Sequence, residues 1–208
     1  ACVKIEVALL LSKHLAVRSL DVDEIAVVSH VTPDADSSDK LPTIRIPLWI
    51  TLDSSSLRNL SFERGQQAHV IDNIELSGAM SGSKLNVSRL TLHSSRLNAQ
   101  LGGSVELADL YRGNLDLNWQ WAESPALQLE GVLSLRGDLR RYQLQHELRA
   151  PQHLVTTGSF SYVDKELEAD LQNTWDALQW TFGESLLQSR DGSLRVQGTL
   201  DRFDLALD

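Results

Sequence analysis

The chain has 208 residues, 42% of them hydrophobic and 23% charged, which excludes a disordered segment and suffices for one large β unit or two ordinary domains. A formal net charge of -9 argues against a nucleic-acid surface, which needs clustered Lys and Arg, and against simple docking on anionic headgroups. No 18-residue apolar run and no basic leader is present, so neither a membrane-spanning helix nor an export signal is visible in it. A chain that starts in mid-pattern at Ala1 and stops on the strand-like run 203–207 reads as a section of a longer protein, which would carry any anchor.

The single cysteine, Cys2, cannot form an internal disulfide; it reads as a half-buried strand residue, with lipidation as the alternative. Val3, Ile5 and Val7 alternate as a strand, and Ala8 to His14 then loses the alternation and reads as a short helix of a turn or two. Leu20 with Val22, then Ile25 with Val27, mark two short strands. Residues 29–40 hold Pro33, three aspartates and three serines, which is loop composition and places a sub-boundary in an otherwise single repetitive unit over 1–208. Residues 41–52 form a strand with Ile44, Ile46, Leu48, Ile50 and Leu52 on one face. Pro47 lies on the other face, and its missing N–H calls for an edge or a bulge there.

From Leu57 onward short alternating runs follow one another, separated by polar or glycine-rich turns at 78–83, 94–95 and 102–103. Leu115 to Trp121 has four apolar residues at alternate positions, a strong strand signal. The run 131–144 then recurs at 192–205: both glycines return, Leu139 as Leu200, Arg141 as Arg202 and Leu144 as Leu205, with an aromatic after each arginine. Similar units that recur this way bury their apolar faces on their neighbours. Gly158 to Tyr162 likewise echoes Gly103 to Leu107, each followed by a tryptophan-bearing run. Residues 167–182 fit either period, and the repeat context selects strand.

Signatures of catalysis are missing. His14, His30, His69, His93, His146 and His153 stand singly, without ligand spacing, so no metal and no cofactor is expected. Asp34 to Asp39 opens like a calcium loop, but Asp39 replaces the sixth-position glycine and Arg45 the twelfth-position glutamate. The Gly78 to Gly82 run has one residue too many before its serine for a nucleophile elbow, and the Ser37 to Lys40 match lies in a polar loop. No phosphate-cradling glycine motif occurs, and the chain is expected not to be an enzyme.

What stands out is apolar surface. A sheet with one apolar face either closes on a second layer as a sandwich or leaves that face to an apolar ligand. The face is set by period-2 phase: Val105, Leu107, Leu115, Leu117, Trp119, Trp121, Leu133, Leu135, Leu139, Phe160, Tyr162, Leu171, Trp175, Leu194, Val196 and Leu200.

The order Ala8 to Leu20, Leu41 to Leu48, repeated Leu-x-Leu-x-Gly, Asp116 to Trp119 and the Gly-x-Leu-x-Val-x-Gly-x-Leu-x-Arg-Phe run at 192–203 resembles the TamB family of AsmA-like proteins, in its N-terminal and middle periplasmic part. The resemblance covers nearly the whole chain and rests on degenerate patterns. It implies an all-β fold, an elongated, curved, mostly antiparallel sheet of U-shaped cross-section (a β-taco) with an apolar groove. It also implies a periplasmic section of a Gram-negative envelope protein, anchored in the inner membrane by an N-terminal helix outside this chain. Phospholipid acyl chains and the outer-membrane barrel TamA are the implied partners. The implied roles are phospholipid transport between the membranes or, as the alternative, a scaffold assisting autotransporter and outer-membrane protein insertion. On this reading the sixteen residues above line a lipid groove; in a closed sandwich they would be core.

Overall fold

The computed structural model describes residues 2–6, 13–28, 42–64, 67–124, 127–163, 166–182, 185–199 and 202–207. The chain is all-β, and its strands are β1 (Cys2–Glu6), β2 (His14–Val28), β3 (Ile46–Arg64), β4 (Gln67–Gly82), β5 (Lys84–His93), β6 (Leu97–Glu106), β7 (Gly113–Ser124), β8 (Leu127–Asp138), β9 (Arg141–Ala150), β10 (Leu154–Val163), β11 (Glu166–Trp175), β12 (Leu178–Phe182), β13 (Ser185–Ser189), β14 (Gly192–Thr199) and β15 (Phe203–Leu207). Two compact units divide it, residues 1–109 and 110–208.

In the first unit β1 to β6 lie side by side in sequence order. All described neighbours there pair antiparallel except β2 and β3, which run parallel. Two apolar rows cross this sheet from β2 to β6. Leu15 pairs with Ile50, Ile50 with Met80, Met80 with Leu85 and Leu85 with Val105, and a parallel row runs from Val22 through Leu57, Ile74 and Leu92 to Ala99. Between these rows the strands take steps of unequal length, three residues from Leu52 to Ser55 and from Val87 to Leu90, but two from Leu76 to Gly78. An odd step turns a side chain to the other face, so the extra residue must be absorbed as a bulge, and the register shifts at these places. Pro47 has the expected consequence: the register between β3 and β4 shifts between Ile46 and Trp49.

In the second unit β7 to β11 form a meander that continues through β14 to β15, all antiparallel. β12 and β13 pair only with each other, so this hairpin is inserted between β11 and β14 while those two strands still pair directly. In neither unit does the ladder close on itself. The recurrent glycine motif has a structural counterpart. Gly131 in β8 faces Trp119, and Gly192 in β14 faces Trp175; a Cβ at either glycine would meet the indole at 2.9 or 2.6 Å. Six residues on, Gly137 pairs with Tyr142 and Gly198 with Phe203, at φ of 139° and 141°. The two copies thus build equivalent hairpins, β8–β9 and β14–β15.

Several expectations change. The helix expected over 8–14 falls on residues outside the described set up to 12, but Lys13 lies in a turn and His14 already opens β2. The two short strands expected between Leu20 and Val27 are one strand: at the break in alternation Glu24 and, on β3, Asn59 both take left-handed conformations (φ 59° and 54°), and the ladder passes over the two together from Asp23 with Arg58 to Ile25 with Leu60. The strand expected from 41 begins at Ile46. Glycines 78 and 82 belong to β4 and Gly102 with Gly103 to β6, so these positions are strand rather than loop. A Cβ at Gly78 would lie 2.4 Å from the Asn86 carbonyl oxygen, so this glycine marks close approach of two backbones, which in sequence looks like a turn. Ser94 and Ser95 do form a turn, and 166–175 is strand as the repeat context requires. The loop 29–40 lies outside the described residues.

Crowding at Gly137 predicts a stability difference between two positive-φ glycines. A Cβ there would meet the Arg141 carbonyl oxygen at 2.1 Å, whereas at Gly82 (φ 59°) nothing lies within 4 Å. Gly137→Ala should cost about 3 kcal/mol, from backbone strain and clash together, and Gly82→Ala about 1 kcal/mol from strain alone. Urea titrations of both variants check this, and equal costs would contradict the assigned hairpin geometry.

Candidate functional site

Residues directly opposite in an antiparallel ladder share a face, so the pairings of the second unit assign each side chain to one side. Leu115, Leu117, Trp119 and Trp121 of β7 face the same way as Leu135, Leu133, Gly131 and Leu129 of β8. The assignment carries on through Tyr142, Leu144 and Leu148 of β9, Leu154, Gly158 and Phe160 of β10, Ala169, Leu171 and Trp175 of β11, and Leu194 and Val196 of β14, to Phe203, Leu205 and Leu207 of β15. The opposite face holds Asp116, Asn118, Gln120, Ser134, Arg136, Gln143, Gln145, Asp170, Gln172 and Arg195. Arg136 pairs there with Asp116 (3.3 Å), and Arg195 grips both oxygens of Asp170 (2.9 and 2.8 Å), which holds the Asp170 carboxyl below the usual carboxylate range. One face of this sheet is apolar and the other is polar.

Among the described residues no second layer covers the apolar face, and the β12–β13 hairpin reaches only its Trp175 end, where the indole Nε1 donates to Ser189 Oγ of β13 (3.1 Å). Of the described residues only Ala16, Leu60, Val87 and Tyr142 are buried hydrophobics, and no side chain is fully buried. The leucines of the apolar face from Leu129 of β8 to Leu194 of β14, with Leu115 and Leu117 of β7, are half-buried by their own sheet neighbours, whereas Leu127 and the β15 residues Leu205 and Leu207 are exposed. Trp121 and Tyr162 remain 39% and 40% exposed.

Of the sixteen residues selected by phase, twelve fall on this face: Leu115, Leu117, Trp119, Trp121, Leu133, Leu135, Phe160, Tyr162, Leu171, Trp175, Leu194 and Val196. Val105 lies on the apolar side of the first unit opposite Leu85, and Leu107 sits just past β6, its backbone bonded to Ser83 and Ile44. Leu139 is in the β8–β9 turn, where its backbone bonds Leu110 and Tyr162, so the alternation through Leu135 does not extend to it. Leu200 lies outside the described residues. The set selected by phase leaves out β9 and the start of β10, where Tyr142, Leu144 and Leu148 keep the period but His146 interrupts it.

That omission conceals the polar members of the face. His146, Thr156 and Asn173 are paired in one row across β9, β10 and β11, between Leu133 on one side and Leu194 on the other. Thr156 Oγ1 donates to Asn173 Oδ1 (2.7 Å), and Asn173 Nδ2 donates to the Leu194 carbonyl (3.3 Å). His146 stacks on Trp119 with ring centroids 5.8 Å apart, and Tyr142 stacks on Phe160 at 5.3 Å. The Tyr142 hydroxyl donates to the Tyr111 carbonyl, and burial raises its pKa, with the Asp138 charge adding to the effect. No group of three or more His, Cys, Asp or Glu gathers among the described residues.

Burial lowers the His146 pKa below its ordinary 6.5, because the half-apolar surroundings disfavour the imidazolium. The unfolded chain then binds more protons than the folded one, so stability is full above pH 6.5 and declines as pH falls through that value toward the folded pKa. Proton NMR titration should place the His146 transition below 6.5, and His146→Phe should remove its share of the acid destabilisation. A His146 transition at or above 6.5 would show the ring to be fully solvated.

Among curated protein sequences and among solved structures, nothing matched the chain significantly. The family model for the TamB N-terminal domain matches residues 33–208, which takes in all of β3 to β15. The chain therefore belongs to the TamB family, as a segment of its N-terminal domain.

Proposed function

We propose that this segment carries phospholipid acyl chains along its apolar face, as part of a periplasmic bridge between the inner and outer membranes, and that it does so without catalysing a reaction. The observation that carries the reading is the seven-strand apolar face of the second unit, left uncovered by any described layer while the reverse face is polar. An acyl chain offers no hydrogen bonds, and its affinity comes from removing apolar area from water, at about 25 cal/mol per Å². Half-exposed leucine rows supply such area without a closed cavity. Membership in the TamB family supports the same reading, including a parent anchored in the inner membrane and partnered by the outer-membrane barrel TamA. A scaffold that assists insertion of outer-membrane proteins would use the sheet without lipid on this face, and the experiment below separates the two.

Leu117 and Leu133 pair in the middle of the face, with Leu115 and Leu135 beside them. Leu117→Arg and Leu135→Asp are expected to leave the fold intact, at about 1 kcal/mol or less, since a charge on an open face still reaches water. In a closed core the same changes would cost several kcal/mol. Acyl-chain binding, followed with a fluorescent fatty acid and by native mass spectrometry with lipid extraction, should fall at least about tenfold in both variants, a loss of about 1.4 kcal/mol. Absence of lipid binding by the wild-type chain leaves the scaffold, and unfolding of both variants would mean that the face is a closed core.

A further inference from the structure

The polar row on the apolar face has no counterpart elsewhere on that face. Apart from Ser124 at the end of β7, every other described position of the face in β7 to β11, β14 and β15 is aliphatic, aromatic or glycine, whereas His146, Thr156 and Asn173 are immediate neighbours on three consecutive strands. Scattered polar substitutions would not form one row. The row also has a fixed place. Toward one end of the strands lies the row containing Trp119, Leu148, Leu154 and Trp175; toward the other lie Leu144, Gly158 and Leu171, then the Tyr142–Phe160 stack. At the Trp119 and Trp175 end the Trp175 indole N–H donates to Ser189 Oγ of β13 (3.1 Å), so this end of the face carries a polar neighbour suited to a headgroup.

The hydrogen bonds inside the row leave donors unused. Thr156 donates to Asn173, and Asn173 gives one of its two amide hydrogens to the Leu194 carbonyl, which keeps the other available. His146 is held by stacking on Trp119, and neither ring nitrogen has a protein partner among the described residues. Its neutral imidazole offers one donor and one acceptor. Two donors therefore flank the Thr156 oxygen, two strand spacings or about 10 Å apart. A pure hydrocarbon satisfies neither, and covering them with one would leave polar groups dry and unpaired. The matching occupant has an apolar body interrupted by hydrogen-bond acceptors.

We propose that His146, Thr156 and Asn173 form a binding site for the ester carbonyls of a diacyl lipid, whose tails lie over Leu144, Leu171 and the Tyr142–Phe160 stack and whose headgroup lies toward Trp119 and Trp175. This rests on the acyl-chain reading of the face and adds an orientation to it: the lipid rests with its linkage at one row, as a discrete stop on a surface that otherwise has no preferred position. The row ends at Leu133 and Leu194, so it holds one linkage rather than a continuous track.

The test compares two probes on the intact 208-residue chain: a diazirine-tagged diacyl phosphatidylcholine and its dialkyl ether analogue, which lacks the carbonyls. The wild-type chain should bind the ester lipid about fivefold more tightly than the ether, the advantage that one hydrogen bond of ordinary net strength supports. Thr156→Val with Asn173→Leu, and separately His146→Phe, should bring the two probes to equal affinity while ether binding is retained, and cross-linking of the ester lipid should lose its focus on β9 to β11. Equal affinities in the wild-type chain overturn the site and leave the acyl-chain face standing. So does an ester preference that survives in the variants, which would make the row a structural ladder only. Failure of the wild-type chain to bind either lipid removes the face and the site together. The wild-type comparison needs no variant, so it decides the matter even where Asn173→Leu fails to fold.

Discussion

The structure depends on keeping one apolar phase through every strand. In a ladder a slip of one residue moves every side chain to the other face, and in the second unit seven strands between Gly113 and Leu207 hold one phase through their paired middles, the register shifts lying near strand ends, between Ala122 and Ser124 and between Glu130 and Gly131. The penalty for a slip here differs from that in a sandwich. With no second layer among the described residues, a strand in the wrong phase loses the partial burial its leucines obtain from their neighbours and breaks pairs such as Arg195 with Asp170 on the other side. Register is thus enforced by cross-strand contacts alone, and the bulges of the first unit show the same requirement, since each compensates an odd step.

Glycine and tryptophan solve a related problem. An indole on a sheet needs space beside it, and the pairing of Trp119 with Gly131 and of Trp175 with Gly192 provides this by leaving no Cβ beneath the ring. The ring then lies over its neighbour instead of standing off the surface. Gly137 and Gly198 act on the backbone, taking up φ values near 140° where each strand enters its turn, a region that other residues rarely visit. The 61-residue recurrence in sequence is the trace of these two devices used twice.

Much of this was legible without coordinates. Alternation in Leu115 to Trp121, in 131–144 and in its copy determined both the strands and their inward phase, because period 2 assigns faces directly. The consequence of Pro47 was equally plain, since a missing donor has few places to go. What misled was glycine: at positions 78 and 102–103 it reads as a turn, yet it serves close approach within long strands, and a single sequence carries no mark that separates the two uses. The parallel pairing of β2 with β3 was also hidden, because alternation is blind to strand direction. The polar row escaped for a different reason. His146, Thr156 and Asn173 break the alternation in their own strands and become a group only once the register sets them side by side.

The β12–β13 hairpin shows what a ladder of this kind tolerates. Between Trp119 and Gly131 the chain turns once; between Trp175 and Gly192 it makes a detour through two extra strands, and yet β11 meets β14 in the same Trp-over-Gly arrangement as β7 meets β8. Each strand of the unit is answerable to the strand on either side and to little else. Stability in such an array is a sum of nearest-neighbour terms, so lengths can drift between strands without disturbing those beyond. Such a sheet can therefore diverge by acquiring or losing hairpins at its turns, each change confined to the place where it arises, while the apolar surface of the remaining strands persists.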